Sequence, residues 1–257
     1  MSRFVNLELG DESEDRSESQ VIVKDDAYYF AEARLAFERG RFEAALRSYS
    51  KVLEFNPQNA AAWTGQVRAL IELGECREAK LWSDKALERF PQEPELLAAK
   101  AVALGRIGDL QAALAFSDAS IEERGDTPYV WLARADVLLA REEKRADFCF
   151  ERALTLAPRD WFIAWLAARI RHFYRQFVLA LKLIQRALEW NPASAAAWLL
   201  QGLCQKELGL LGAARMSLAQ AVQLEPDGLE AAGVLASLSS AGVRSVLSGW
   251  WRRLFGQ

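Results

Sequence analysis

The sequence predicts an all-α fold, a solenoid of about six stacked helical hairpins with a C-terminal capping pair, and three observations predict it. The first is a repeated ending: Leu53-Glu54-Phe55-Asn56-Pro57, Leu87-Glu88-Arg89-Phe90-Pro91, Leu154-Thr155-Leu156-Ala157-Pro158, Leu188-Glu189-Trp190-Asn191-Pro192 and Val222-Gln223-Leu224-Glu225-Pro226. Successive prolines stand 34, 67, 34 and 34 residues apart, a fixed period that marks a repeat architecture. The second is internal: Gly40, Gly74, Gly108 and Gly209 are each followed five residues on by Ala45, Ala79, Ala113 and Ala214, with Ala146 and Ala180 in the same slot elsewhere. Seven positions later a second small residue follows, at Ala86, Ala153, Ala187 and Ala221, with Val52 and Ser120 as variants. The third is an aromatic opening to several units, at Tyr29, Trp63, Trp131 and Trp198, where a ring fills space between stacked hairpins.

Taken in order, residues 1–25 differ from all that follows. Residues 10 to 20 carry no apolar side chain, the composition of a disordered tail, behind the short apolar motif Phe4-Val5-Asn6-Leu7-Glu8-Leu9. Six units then cover 26–226, at about 26–59, 60–93, 94–127, 128–160, 161–194 and 195–228. Each reads as a helix, a glycine turn, a second helix and a proline that stops it. The gap of 67 residues holds two units, with Gly125 where a proline would fall and one residue deleted near Arg141 to Lys144. Arg175 stands where the fifth unit would have its turn glycine. A lone hairpin cannot bury its apolar face, so neighbours stack and share one continuous core. Residues 229–257 read as a cap: a first helix over Leu229 to Ser240, a break at Ala241-Gly242, then an amphipathic helix over Val243 to Phe255.

Composition narrows the function. The 257 residues are 51% hydrophobic, enough for a packed interior, and 32 basic against 35 acidic side chains give no global drive toward nucleic acid or acidic lipid. Cys76, Cys149 and Cys204 lie far apart, without the close pairing of zinc sites or secreted disulfide scaffolds, which points to reduced thiols in a cytoplasmic compartment. The start turns acidic within a few residues, so no secretory signal is read there, and no stretch reaches the ~20 apolar residues of a spanning helix. Enzyme chemistry finds no footing: there is one histidine, His172, and neither a glycine-rich phosphate loop, a zinc-protease motif nor a nucleophile elbow. No cofactor and no metal are expected.

With these landmarks in place the sequence resembles the tetratricopeptide repeat family: an aromatic early in the first helix, a small residue at the eighth position, a turn glycine, an alanine in the second helix and a closing proline. The resemblance covers about Asp26 to Pro226 and implies a right-handed superhelix whose first helices line a concave groove that grips partner peptides. The family's groove positions fall here on Phe30, Arg34 and Phe37, on Arg68, on Tyr129, Leu132 and Asp136, and on Phe162, Trp165, Arg169, His172 and Phe173. Arg106 in the third unit and Leu199, Leu203, Lys206 and Glu207 in the sixth occupy such positions too. Rings and arginines together suit an amphipathic helix or an extended peptide, and units four and five, around Trp165 and Arg169, read as the centre of that surface. The lysines and asparagines with which some members clamp a chaperone's C-terminal carboxylate are not reproduced.

The function expected is a scaffold or adaptor that binds a protein or peptide ligand in the groove. Two other readings stand beside it: a membrane-peripheral assembly factor held by Trp250, Trp251, Arg252, Arg253, Leu254 and Phe255, residues that suit a solenoid cap better because an exposed last repeat needs cover, and a self-associating oligomer. Nucleic acid is disfavoured because acids such as Glu95 and Asp136 interrupt the groove.

Overall fold

Six of the twelve hairpin helices among the described residues begin on a residue whose side chain satisfies their first free amides. The computed structural model describes residues 24–238, and among them Asp25, Asn59, Asp109, Thr127, Asp160 and Ser194 accept N-terminal backbone N–H groups, while Pro94 and Pro128 sit where no N–H is needed. Twelve helices result in six hairpins: α1 (Asp26–Glu38) with α2 (Phe42–Phe55), α3 (Ala60–Glu72) with α4 (Cys76–Leu87), and α5 (Pro94–Arg106) with α6 (Leu110–Glu122). Then come α7 (Pro128–Ala140) with α8 (Ala146–Leu156), α9 (Trp161–Phe173) with α10 (Phe177–Trp190), and α11 (Ala195–Glu207) with α12 (Leu211–Leu224). A further helix occupies 229–238. There is no strand among the described residues.

The hairpin turns need a left-handed residue, and Gly40, Gly74, Gly108 and Gly209 supply it with φ of 73, 83, 93 and 75°. The fourth and fifth hairpins make the same turn without glycine, on Glu142 at φ 59° and Arg175 at φ 58°. The turn geometry is thus kept and the substitution is paid in local strain. The small residues act as expected of close approach: Ala45, Ala79, Ala113, Ala180 and Ala214 are fully buried between the paired helices.

The opening aromatics do more than fill space. The indole Nε1 of Trp63 donates to the Pro57 carbonyl at 3.0 Å and that of Trp198 to the Pro192 carbonyl at 2.9 Å. Each ring therefore pins the loop that joins its unit to the preceding one. Where the proline is missing, Trp131 donates instead to Asp126 Oδ1 at 2.7 Å.

First helices pack on one another in series, α1 on α3, α3 on α5, α5 on α7, α7 on α9 and α9 on α11, so they form the inner layer of a helical-repeat solenoid. This inner layer is unusually dry. In α5 the stretches 96–99 and 101–105 are all buried, whereas its partner α6 buries a single stripe, Ala113, Ser117 and Ser120. Burial on both faces means that something covers the groove side of the first helices as well.

Candidate functional site

Over α5 and α7 the cover comes from the neighbouring first helices α3 and α9, which close with them around one small cavity, and over the fifth and sixth units it is the first hairpin. Its turn projects across the inner layer onto the fifth and sixth units: a Cβ placed on Gly40 would lie 3.6 Å from the Ala196 side chain and 3.7 Å from the Trp165 ring. Phe42, which opens α2, stacks on Trp165 with ring centres 6.3 Å apart and planes 17° apart, and Phe37 meets Phe162 edge-on at 6.1 Å. Trp165 is 1% exposed and its Nε1 donates to the Ala196 carbonyl at 3.3 Å. Arg169 completes the seam, its guanidinium lying 4.5 Å from the Phe42 ring centre and donating from Nε to Glu72 Oε2 at 2.6 Å. At the outer end Arg41 pairs with Glu225.

Behind this seam lies a second set of paired charges. Arg106, 6% exposed, donates to Asp136 Oδ2 from Nη2 at 2.7 Å and from Nε at 3.2 Å, and the Tyr174 hydroxyl donates to Asp136 Oδ1 at 2.7 Å. Burial alone would raise the Glu72 carboxyl, but Arg169 and Arg106 outweigh it and hold the group below its ordinary value. Burial likewise opposes the charge on Arg106, yet Asp136 and Glu72 push its pKa further up. Burial, with Asp136 beside it, raises the Tyr174 phenol, so it remains a donor. The space left among these groups is a cavity of about 20 Å³, the size of one water molecule.

The groove residues named from the sequence therefore divide. Phe37, Leu132, Asp136 and Trp165 are buried, at 4, 1, 1 and 1% exposure, where the sequence reading had an inner wall of exposed rings. For Phe37 and Trp165 the physical reason is closure, since rings of units one and five meet across the superhelix, whereas Leu132 and Asp136 are buried where α3, α5, α7 and α9 converge. Phe30, Arg68, Tyr129, Phe162, Arg169 and His172 are half-buried, and Arg34 and Phe173 are exposed. Burial, and then the charge of Arg169, pushes His172 below the usual imidazole value. Trp250, Trp251, Arg252, Arg253, Leu254, Phe255 and the motif at Phe4 to Leu9 lie outside the described residues. Phe42, Glu72 and Tyr174, which hold the seam and its charges, were not singled out, and no local signal in the sequence links them to their partners.

Several clefts remain open beside the seam. A cleft of about 780 Å³ runs between the first hairpin, with Arg39, Arg41 and Arg47, and a wall made by Leu199, Leu200 and Leu203 of α11 with Leu229 and Ala231 of the next helix. A smaller pocket of about 300 Å³ lies where Arg34, Phe37, Arg68, Trp161 and Phe162 converge. Among the described residues no cluster of three or more His, Cys, Asp or Glu could hold a metal, and no helix is long and apolar enough to cross a membrane.

This architecture defines a helical-hairpin repeat protein, closed on itself at one seam. The chain belongs to the tetratricopeptide repeat family: one tetratricopeptide repeat family model matches residues 7–154, more than half of the chain, and a second matches 175–232. Solved structures agree on the fold. A tetratricopeptide repeat protein from Parabacteroides merdae is 17% identical over 83% of this chain and 84% of its own, with a TM-score of 0.54. The human IFIT1 dimer with m7Gppp-AAAA is 19% identical over 90% of this chain and 59% of its own, at 0.52, and an IFIT1 monomeric mutant with the same ligand is 18% identical over 84% and 56%, at 0.51. The chain thus spans between half and two thirds of the IFIT1 length. At these identities the likeness is one of fold. No curated protein matches this sequence.

Proposed function

We propose that this protein is an interaction scaffold that seats a helix or extended peptide of a partner protein in the cleft between its first hairpin and its sixth unit. The family's fold supports the interaction role in general. The observation that carries the specific reading is the cleft's composition: half-buried Leu199 and Leu203 and the 87% exposed Leu229 form an apolar wall, facing arginines across a space of about 780 Å³. Leu199 and Leu203 fall at the groove positions that the family resemblance implies for the sixth unit, which supports seating the ligand in this cleft. Charges of both signs line it, Arg39 and Arg47 on one side and Asp227 and Glu230 on the other, which suits a partner of mixed charge.

A protein ligand fits better than RNA. The IFIT1 structures hold m7Gppp-AAAA. In this chain the interior arginines Arg106 and Arg169 are already paired with Asp136 and Glu72, and the cleft sets Glu43, Asp227 and Glu230 beside its arginines, which disfavours a polyphosphate. Three free, buried cysteines support a reducing, cytoplasmic setting.

Site-specific photo-crosslinking tests the reading. With benzoylphenylalanine at Leu203, irradiation in native lysate should give one discrete protein adduct, lost in competition with unlabelled protein. The same group at Phe148, 66% exposed on the outer helix α8, should give none. Equal adducts from both positions, or none from Leu203, would remove the cleft from the account.

A further inference from the structure

Of the groove-position arginines Arg68, Arg106 and Arg169, two are neutralised, Arg106 by Asp136 and Arg169 by Glu72. Arg68 is the exception: among the described residues no carboxylate comes within 4.0 Å of it. It is held instead by rings, its guanidinium carbon 3.8 Å from the centre of Tyr129 and 5.2 Å from that of Phe37. Stacking fixes the plane of the group and leaves its edge N–H donors free for an acceptor. Arg68, which also borders the small interior cavity, lines the pocket of about 300 Å³ together with Tyr49, Trp161 and Phe162. Two acids on its rim are already engaged. Asp160 caps α9 by accepting from the Phe162 and Ile163 amides, and Glu38 faces Arg34 at 3.9 Å. Arg34, 64% exposed and one repeat before Arg68 in the same slot, stands at the mouth beside its partner Glu38. Arg68 is thus the cation of this pocket that has no carboxylate of the described fold beside it.

The chain supplies an acidic peptide next to it. Residues 10–20 hold five acids, Asp11, Glu12, Glu14, Asp15 and Glu18, against one base, Arg16. They enter the fold at Asp26, and Arg34 stands eight residues further along the same helix, ~12 Å at 1.5 Å per residue. Five extended residues of linker span ~17 Å, so residues 21–25 suffice as a tether. Tethering at this length raises the local concentration of the acidic stretch to the order of millimolar. We propose that the Arg68 pocket receives carboxylates of residues 10–20 of this same chain. This pocket is separate from the cleft at Leu203, and the inference does not depend on that cleft binding a partner.

The test uses the full chain with benzoylphenylalanine at Ser13, irradiated at low micromolar concentration and mapped by mass spectrometry. Expected are intramolecular crosslinks to peptides containing Phe37, Tyr49, Trp161 or Phe162. Their yield should fall by about fivefold or more in the Arg34→Gln, Arg68→Gln double variant, the effect of removing a charge-assisted contact. Because Arg68 stacks on Tyr129 and its loss could loosen the fold, a second variant leaves the repeats untouched: Glu12→Lys, Glu14→Lys and Asp15→Lys together should lower the yield to the same extent. Crosslinks scattered over the outer helices, a yield indifferent to the tail substitutions, or adducts found only at the mass of a dimer would each overturn the proposal. Adducts from Leu203 report on the other cleft and are unmoved by any of these outcomes.

Discussion

Replacing Trp165 with alanine separates two pictures of this protein. If the ring were an exposed anchor on an open groove, its removal would leave stability nearly unchanged and abolish binding. In the structure it is 1% exposed, stacked on Phe42, 5.6 Å from Phe162 and hydrogen-bonded to the Ala196 carbonyl. Truncating a buried tryptophan costs about 3–5 kcal/mol, transfer and cavity terms together. The upper half of that range applies, because the indole is a contact between hairpins far apart in sequence and its loss also releases the Phe42 ring and the guanidinium of Arg169 above it. Urea denaturation followed by circular dichroism reads the change, with Phe173→Ala as comparison. That ring is 49% exposed, and its truncation should cost about 1 kcal/mol or less. Small-angle scattering of the folded Trp165→Ala protein should also show a larger radius of gyration as the first hairpin swings away. A loss of under about 1 kcal/mol with unchanged dimensions would refute the seam.

Three further outcomes follow from local geometry. A Cβ on Gly65 would stand 2.3 Å from the Tyr49 ring, itself buried, so Gly65→Ala should destabilise by about 1–3 kcal/mol, whereas Gly105→Ala, whose nearest neighbour is at 3.7 Å, should be neutral or stabilise by up to ~1 kcal/mol in the same urea assay. Arg175→Gly relieves a left-handed backbone at φ 58° and should raise stability by about 1 kcal/mol, read as a higher melting temperature; a drop would mean that the side chain holds the turn. The Glu72 carboxyl is depressed in the folded state, so the stability it contributes is fully present above the ordinary glutamate value and is lost as pH falls through its lower folded value. Melting temperature between pH 7 and pH 3 should therefore fall more steeply for the wild type than for Glu72→Gln, which is already weakened at pH 7.

The repeat was legible because it is written locally. Proline 34 residues after proline, glycine followed by alanine five residues on, and an aromatic at each unit's start fix helix, turn and stacking without reference to anything distant. Even the irregular units obey: Glu142 and Arg175 take up the left-handed turn where glycine is missing, because the packing of the paired helices determines the turn more strongly than the residue's own preference. The seam was not legible for the opposite reason. Phe42 and Trp165 are 123 residues apart, and nothing in either unit's pattern records the superhelical pitch that brings them together. A ring at a groove position reads the same whether it awaits a partner or meets another part of its own chain. The charges are similar: Arg169 is a groove position in the repeat pattern, while nothing in the sequence marks Glu72, at the end of α3, as the partner that the fold sets 2.6 Å from it.

Closure changes how a ligand would act on this molecule. In an open solenoid each repeat touches only its neighbours, so binding at one end is felt at the other only through the stack. Here the cleft has the first hairpin as one wall and the sixth unit as the other, and its floor includes Trp165 and Arg169 of the seam. A partner that touches both walls binds only the closed state and must stabilise it, by about 2.7 kcal/mol at a hundredfold excess over its Kd. The same linkage means that loosening the seam weakens the partner without touching a single contact residue. Phe42→Ala, which removes the ring stacked on Trp165 and leaves the leucine wall intact, should therefore reduce the yield of the Leu203 adduct. A yield equal to wild type in that variant would show that the sixth unit alone holds the partner and that closure is only structural.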